Sequence, residues 1–213
     1  MKKQIIFFLL FMSVFFISCN TEINITINDN NSATIEIDTN SSKVLENTIS
    51  TLLGVEEDVV FFSKEEIEKA FSQTDFQVIN VKSKGKLGLT LLLKTQNFNK
   101  AFNILPEAVK IEKNTIYFDL SPKVMQNVAN FLPTDINDYL ALLMAPCFDG
   151  TSMPSDEYIE LINVIYGESL AEELNKAKIK LNFTTSNGKK FFYTETLVDF
   201  LSGNLKNTYK IVL

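Results

Sequence analysis

Carboxylates carry most of the chemistry this sequence could perform. Glu65, Glu66 and Glu68, then Asp156, Glu157 and Glu160, then Glu172 and Glu173 form three acidic clusters. Paired acids are what glycoside hydrolysis needs, one to protonate the leaving oxygen and one to attack or to activate water. That chemistry requires neither His nor Arg, and the chain has neither: all 20 of its basic residues are lysine. Each cluster, however, falls in or near the first turn of a predicted helix, where acids face the macrodipole and water, so solvated helix starts are the expected reading. Asp119, following Tyr117-Phe118 at a predicted strand end, is the one isolated acid beside aromatics. Gly167-Glu168-Ser169-Leu170-Ala171 has the spacing of a serine nucleophile elbow, which needs a strand before the glycine and a base for the serine proton. A helical pattern precedes Gly167 and no imidazole exists, so a helix-ending glycine before the next helix's first turn is expected instead. Asn28-Asp29-Asn30-Asn31-Ser32 has the composition of a calcium loop but not its glycine and closing glutamate, and reads as a turn.

Two cysteines remain, Cys19 and Cys147. Cys19 closes a segment that opens with Met1-Lys2-Lys3, continues through an apolar run from Ile5 to Ile17 and ends Phe16-Ile17-Ser18-Cys19. The lysines hold the start of the chain on the cytoplasmic side, and Ser18 is small enough to pass a peptidase site. At about 13 residues the run is shorter than the ~20 a permanent spanning helix needs, so cleavage is expected rather than a transmembrane anchor. In these residues the segment resembles the signal of bacterial lipoproteins, with Phe16 where that class usually has Leu. The resemblance covers about the first 20 residues and implies cleavage after residue 18 and a diacylglycerol thioether on Cys19, with the new amino group acylated as well. It further implies a location in the cell envelope, on a membrane surface facing either the periplasm or the outside. A lipidated Cys19 cannot form a disulfide, which leaves Cys147 as a free thiol, expected to be buried because an exposed one would oxidise or cross-pair.

Composition sets further limits. The net charge of −6 includes Lys2 and Lys3, so residues 19–213 carry about −8. A surface of that sign repels phosphates, so neither nucleic acid nor anionic headgroups are expected partners. Without His, imidazole-based triads and histidine-containing zinc sites are excluded, and without Arg so are bidentate phosphate clamps. No cofactor or metal is expected.

The elements that must position these residues read as α+β. Ile23, Ile25 and Ile27 alternate with polar residues, as do Ala33, Ile35 and Ile37 across the 28–32 turn, which predicts a hairpin with one apolar face. Val44 to Leu53 has helical spacing ended by Gly54, and Ser63 to Glu66 forms a capping box before Ile67, Ala70 and Phe71. A second hairpin turns through residues 82–86, and Leu92, breaking the alternation of Leu87, Leu89, Leu91 and Leu93, predicts a strand buried on both faces. A short helix from Phe98 to Leu105 and a third hairpin, 108–111 with 115–120, follow. Residues 121–176 read as a helical insert, with helices to Phe131, from Thr134 or Asp135 to Met144, from a Ser155 cap to Tyr166, and from Glu168 to Lys176. Strand patterns return at Ile179, Leu181 and Phe183, in an apolar stretch from Phe191 to Leu201, and at Tyr209, Ile211 and Leu213, expected to complete the first sheet.

A single α+β domain over residues 19–213 follows, with a mainly antiparallel sheet of hairpins, packed helices and a helical insert. The alternating hairpins and closing strands give it a general similarity to α+β lipoproteins of the LppM-like kind, from which no fold detail or site is carried over. The segment 144–154 must be a loop, with two prolines and a glycine, yet it holds Met144, Phe148 and Met153. It either folds back over the core or lines an apolar contact surface or ligand recess. The leading functional expectation is a non-catalytic, membrane-anchored envelope lipoprotein that acts as a protein-interaction or structural domain. Its alternative is a carrier or sensor of a lipid or other apolar ligand in a cavity between sheet and helices, and behind both stands a carboxylate-based glycan hydrolase.

Overall fold

The computed structural model of the chain describes residues 20–54, 63–72, 74–102, 108–112, 114–129, 145–205 and 208–213. Strands β1 (Asn20–Ile27) and β2 (Ala33–Asn40) form the hairpin their alternation predicts, with Ile23 opposite Ile37 and Ile25 opposite Ile35. All four isoleucines are buried. The turn between them closes on itself, Asn28 Nδ2 donating to Ser32 Oγ and Ser32 Oγ to Asn30 Oδ1. Two of the turn's side-chain oxygens, Asn30 Oδ1 and Ser32 Oγ, are therefore spent within it.

Helix α1 (Lys43–Leu53) follows, capped by Ser42, whose hydroxyl accepts from the Leu45 amide, and ended by Gly54. Then come α2 (Lys64–Phe71), β3 (Phe76–Lys84), β4 (Gly88–Thr95) and α3 (Phe98–Phe102). The β3–β4 turn is Gly85 to Leu87, starting three residues later than the 82–86 cluster suggested, because Lys82, Ser83 and Lys84 continue the ladder against Thr90, Leu89 and Gly88. Glu46 of α1 explains the shift. Its carboxylate accepts from the amides of Lys86 at 2.9 Å and Leu87 at 3.4 Å, pinning the turn there. A Cβ on Gly85 would stand 2.6 Å from that carboxylate, so glycine is required for the close approach as well as for its φ of +66°. The expectation that β4 is buried on both faces is corrected: Leu92 is only half-buried, whereas Leu89, Leu91 and Leu93 on the other face are fully covered.

Strands β5 (Val109–Glu112) and β6 (Thr115–Asp119), helix α4 (Pro122–Ala129), a 3-10 turn at Pro146–Asp149, helices α5 (Ser155–Tyr166) and α6 (Glu168–Lys176), strands β7 (Lys178–Thr184) and β8 (Lys190–Thr196), helix α7 (Leu197–Leu201) and β9 (Thr208–Val212) complete the described chain. The helix expected from residue 134 to 144 lies outside the described residues. Ser155 is the first helical residue rather than the cap, a place Pro154 takes. The chain is α+β, and its strands form two sheets, β3-β4-β2-β1-β7-β8 and β5-β6-β9. Among the described strands every pairing is antiparallel except β1 with β7. The C-terminal strands thus divide, β7 and β8 joining the first sheet while β9 pairs with β6.

One face of the large sheet is buried. Residues of that face, of the small sheet and of α1, α2 and α5 to α7 share one hydrophobic cluster. A chain of rings stitches the layers, running from Phe102 to Phe118 of the small sheet, on to Phe183 of β7 at 5.0 Å, then to Tyr193 and Tyr209. Offset and edge-on ring pairs at such spacings add to the energy of burial.

Candidate functional site

The opposite face of the large sheet is where the fold leaves functional surface open. Register defines it: Asn20, Glu22, Asn24 and Thr26 of β1 stand beside Lys178, Lys180, Asn182 and Thr184 of β7 on one side, and opposite Asn40, Asp38, Glu36 and Thr34 of β2 on the other. Successive strand residues alternate faces, so these share one surface. Apart from Gly88, no residue that register places on this face is buried. At about 4.8 Å per strand, the six strands span roughly 25 Å. At its centre the Asn182 amide donates to Asn24 Oδ1 at 2.8 Å and to Glu22 Oε1 at 3.1 Å. Asp38 is held in an ion pair with Lys84. At the two outer strands Ile79, set at a bulge in β3, is 42% exposed and Phe192 of β8 is 68% exposed.

Cys19 lies outside the described residues, but the residue joined to it does not. Asn20 opens β1, the fourth of six strands, and is already paired with Asn40 and with Lys178. Anything attached to Cys19 is therefore one peptide unit from an ordered sheet.

The acids of the three clusters lie on three helices. Glu65 and Glu68 lie on α2, Asp156, Glu157 and Glu160 are on α5, and Glu172 and Glu173 are on α6. Glu172 takes Lys176 as an ion-pair partner at 2.8 Å one turn away, and that partner holds its carboxyl below the usual range. Asp119 accepts from the Ser121 amide at 2.8 Å, a bond that seats the start of α4. Ser169 is exposed in the first turn of α6, and Gly167 joins that helix to α5, so the serine stands on no strand-to-helix elbow. Among the described residues no group of three His, Cys, Asp or Glu side chains lies close enough to hold a metal ion.

The 144–154 segment turns inward where it is described. Phe148 is 8% exposed, its ring 6.5 Å from Phe200, and Met153 packs half-buried against the core; Met144 lies outside the described residues. A polar cluster that the sequence did not reveal straps this loop to the end of α7. Ser155 Oγ donates to Asp199 Oδ1 at 2.6 Å, the Met153 amide donates to Ser202 O at 2.8 Å, and Asn204 Nδ2 donates to Ser202 Oγ at 3.0 Å and to the Met153 carbonyl. Asp199 sits within, and Ser202 directly after, an apolar stretch whose sequence pattern shows only burial, and Ser155 is 44 residues from its partner, so no local signal marks the cluster. Cys147, in the same loop, is 1% exposed, and burial pushes its thiol well above its ordinary range. Such a thiol is protonated and poorly nucleophilic.

No described helix is long and apolar enough to cross a membrane. Comparison with protein-family models, with curated proteins and with solved structures finds no match to this chain.

Proposed function

We propose that this chain is a lipid-anchored protein of the bacterial envelope whose domain works by contact rather than by catalysis. The observation that carries the reading is the start of β1. The residue after Cys19 is already locked into the middle of the large sheet, so a lipid on Cys19 holds the folded domain against the membrane with no linker between. Support for a non-catalytic role comes from where the chemically capable groups are spent: Glu172 on Lys176, Asp119 on Ser121 and Asp199 on Ser155 are structural bonds. The open polar face of the large sheet is a surface available for such contact.

The anchor is tested by growing cells that express the full chain with an alkyne-bearing fatty acid. The native chain should take up label and sediment with membranes. Cys19→Ser should lose the label entirely, because the thioether needs sulfur. Equal labelling of the two chains, or none of the native one, would contradict the reading.

A further inference from the structure

The open face is not charged as the chain is charged. Register places Lys82, Lys84, Lys94, Lys178, Lys180 and Lys190 on it, against Glu22, Glu36 and Asp38, whereas the whole chain carries −6. The acids stand in the two inner strands β1 and β2, and the lysines flank them on β3 and β4 to one side and on β7 and β8 to the other. Asp38 is neutralised by Lys84, and Glu22 is engaged by Asn182. The other five lysines are exposed.

We propose that this face lies against the bilayer of anionic phospholipid in which the chain is anchored, an inference that rests on the lipid-anchored reading above. Three observations converge on it. The chain enters the sheet at Asn20, which opens β1 on this face beside Lys178, so a lipid on Cys19 holds this end of the face at the headgroups. The face carries twice as many lysines as carboxylates, so an anionic surface attracts it. Finally, Phe192, which register places on this face opposite Asn182, projects 68% exposed at its margin, where a side chain of that kind enters the headgroup region. The net charge of the chain argues the other way, but distribution decides contact, not the total. The acidic helices α2, α5 and α6 pack on the buried side of the sheet, away from this face, and the Debye length at physiological salt is about 8 Å. The membrane therefore meets the lysines, and the acids behind them are screened.

The experiment is lysine footprinting on the full lipidated chain, reconstituted into vesicles of phosphatidylcholine alone or of phosphatidylcholine and phosphatidylglycerol in equal parts. Each lysine's acetylation rate is read by mass spectrometry. On the anionic vesicles Lys82, Lys94, Lys178, Lys180 and Lys190 should react several-fold more slowly than on the neutral ones, while Lys64 of α2 and Lys123 of α4 keep their rates. High salt should abolish the difference. Equal rates on both vesicles, with the chain still floating with them, would overturn the face assignment and leave the anchor standing. A chain that floats with neither vesicle would overturn both. Protection of the five lysines by a co-purified envelope protein, with none from vesicles, would hand the face to a protein partner instead.

Discussion

Cys147 and two buried tyrosines give the residue scale its clearest consequences. Burial is the first cause of the upward shift at Cys147, at Tyr158 and at Tyr209, and the last also donates its hydroxyl to Glu195 at 2.9 Å. In each case the fold favours the protonated, neutral form. The unfolded chain releases these protons at the ordinary values, near 9 for the thiol and near 10 for the phenols, so above those values it binds fewer protons than the folded chain. Stability is therefore unaffected by these groups at neutral pH and falls as pH rises past about 9; denaturant midpoints measured from pH 7 to 10.5 should decline at the alkaline end. The same burial predicts that iodoacetamide modifies Cys147 slowly in the native protein and rapidly in denaturant. A buried thiol was legible in the sequence, since an exposed one in an oxidising compartment would oxidise or cross-pair. The sequence held no cue to what surrounds the thiol. The bonds from Ser155 to Asp199 and from Asn204 to Ser202 join residues whose nearness only the tertiary fold creates.

At the scale of elements, alternation and capping signals located β1, β2, α1 and the junction of α5 and α6, because each is set by its own residues. Elements fixed by a distant group were placed less well. The β3–β4 turn moved because Glu46, 40 residues away from Lys86, supplies the acceptor for its amides. Replacing Glu46 with Ala should cost about 1–3 kcal/mol, the penalty for leaving such donors without a partner, and would show as a lower denaturant midpoint with an unchanged slope. The strap over the 145–154 loop has a comparable weak point at Gly203, where φ is +77° and a Cβ would meet the Thr151 carbonyl at 2.6 Å. Gly203→Ala should destabilise by about 1–3 kcal/mol. It should also speed alkylation of Cys147 under native conditions, which a substitution remote from this loop would not do.

For the whole molecule, the α+β class follows from the order of hairpins and helices, but the division into two sheets does not. Strand patterns say that a segment is extended and half-buried; they do not say which edge it meets. Tyr209 and Ile211 alternate in the same way as Ile179 and Phe183, yet β9 pairs with β6 and β7 pairs with β1. Phe183 lies in the ring chain that joins the two layers, and its truncation to Ala should cost about 3–5 kcal/mol, read as a loss of the unfolding midpoint for both sheets together in a single transition. The open face was equally hidden, because the lysines that form it are scattered from residue 82 to 190 and only register assembles them. The proposed function rests on a lipid at Cys19, which would join this sheet to the membrane. Its most direct measurement is the intact mass of the full-length product extracted from the membrane fraction. The account predicts residues 19–213 plus a diacylglycerol and a further acyl chain, with fragment ions placing the added mass on Cys19; a mass equal to the unmodified chain, whether whole or cut elsewhere, would contradict it.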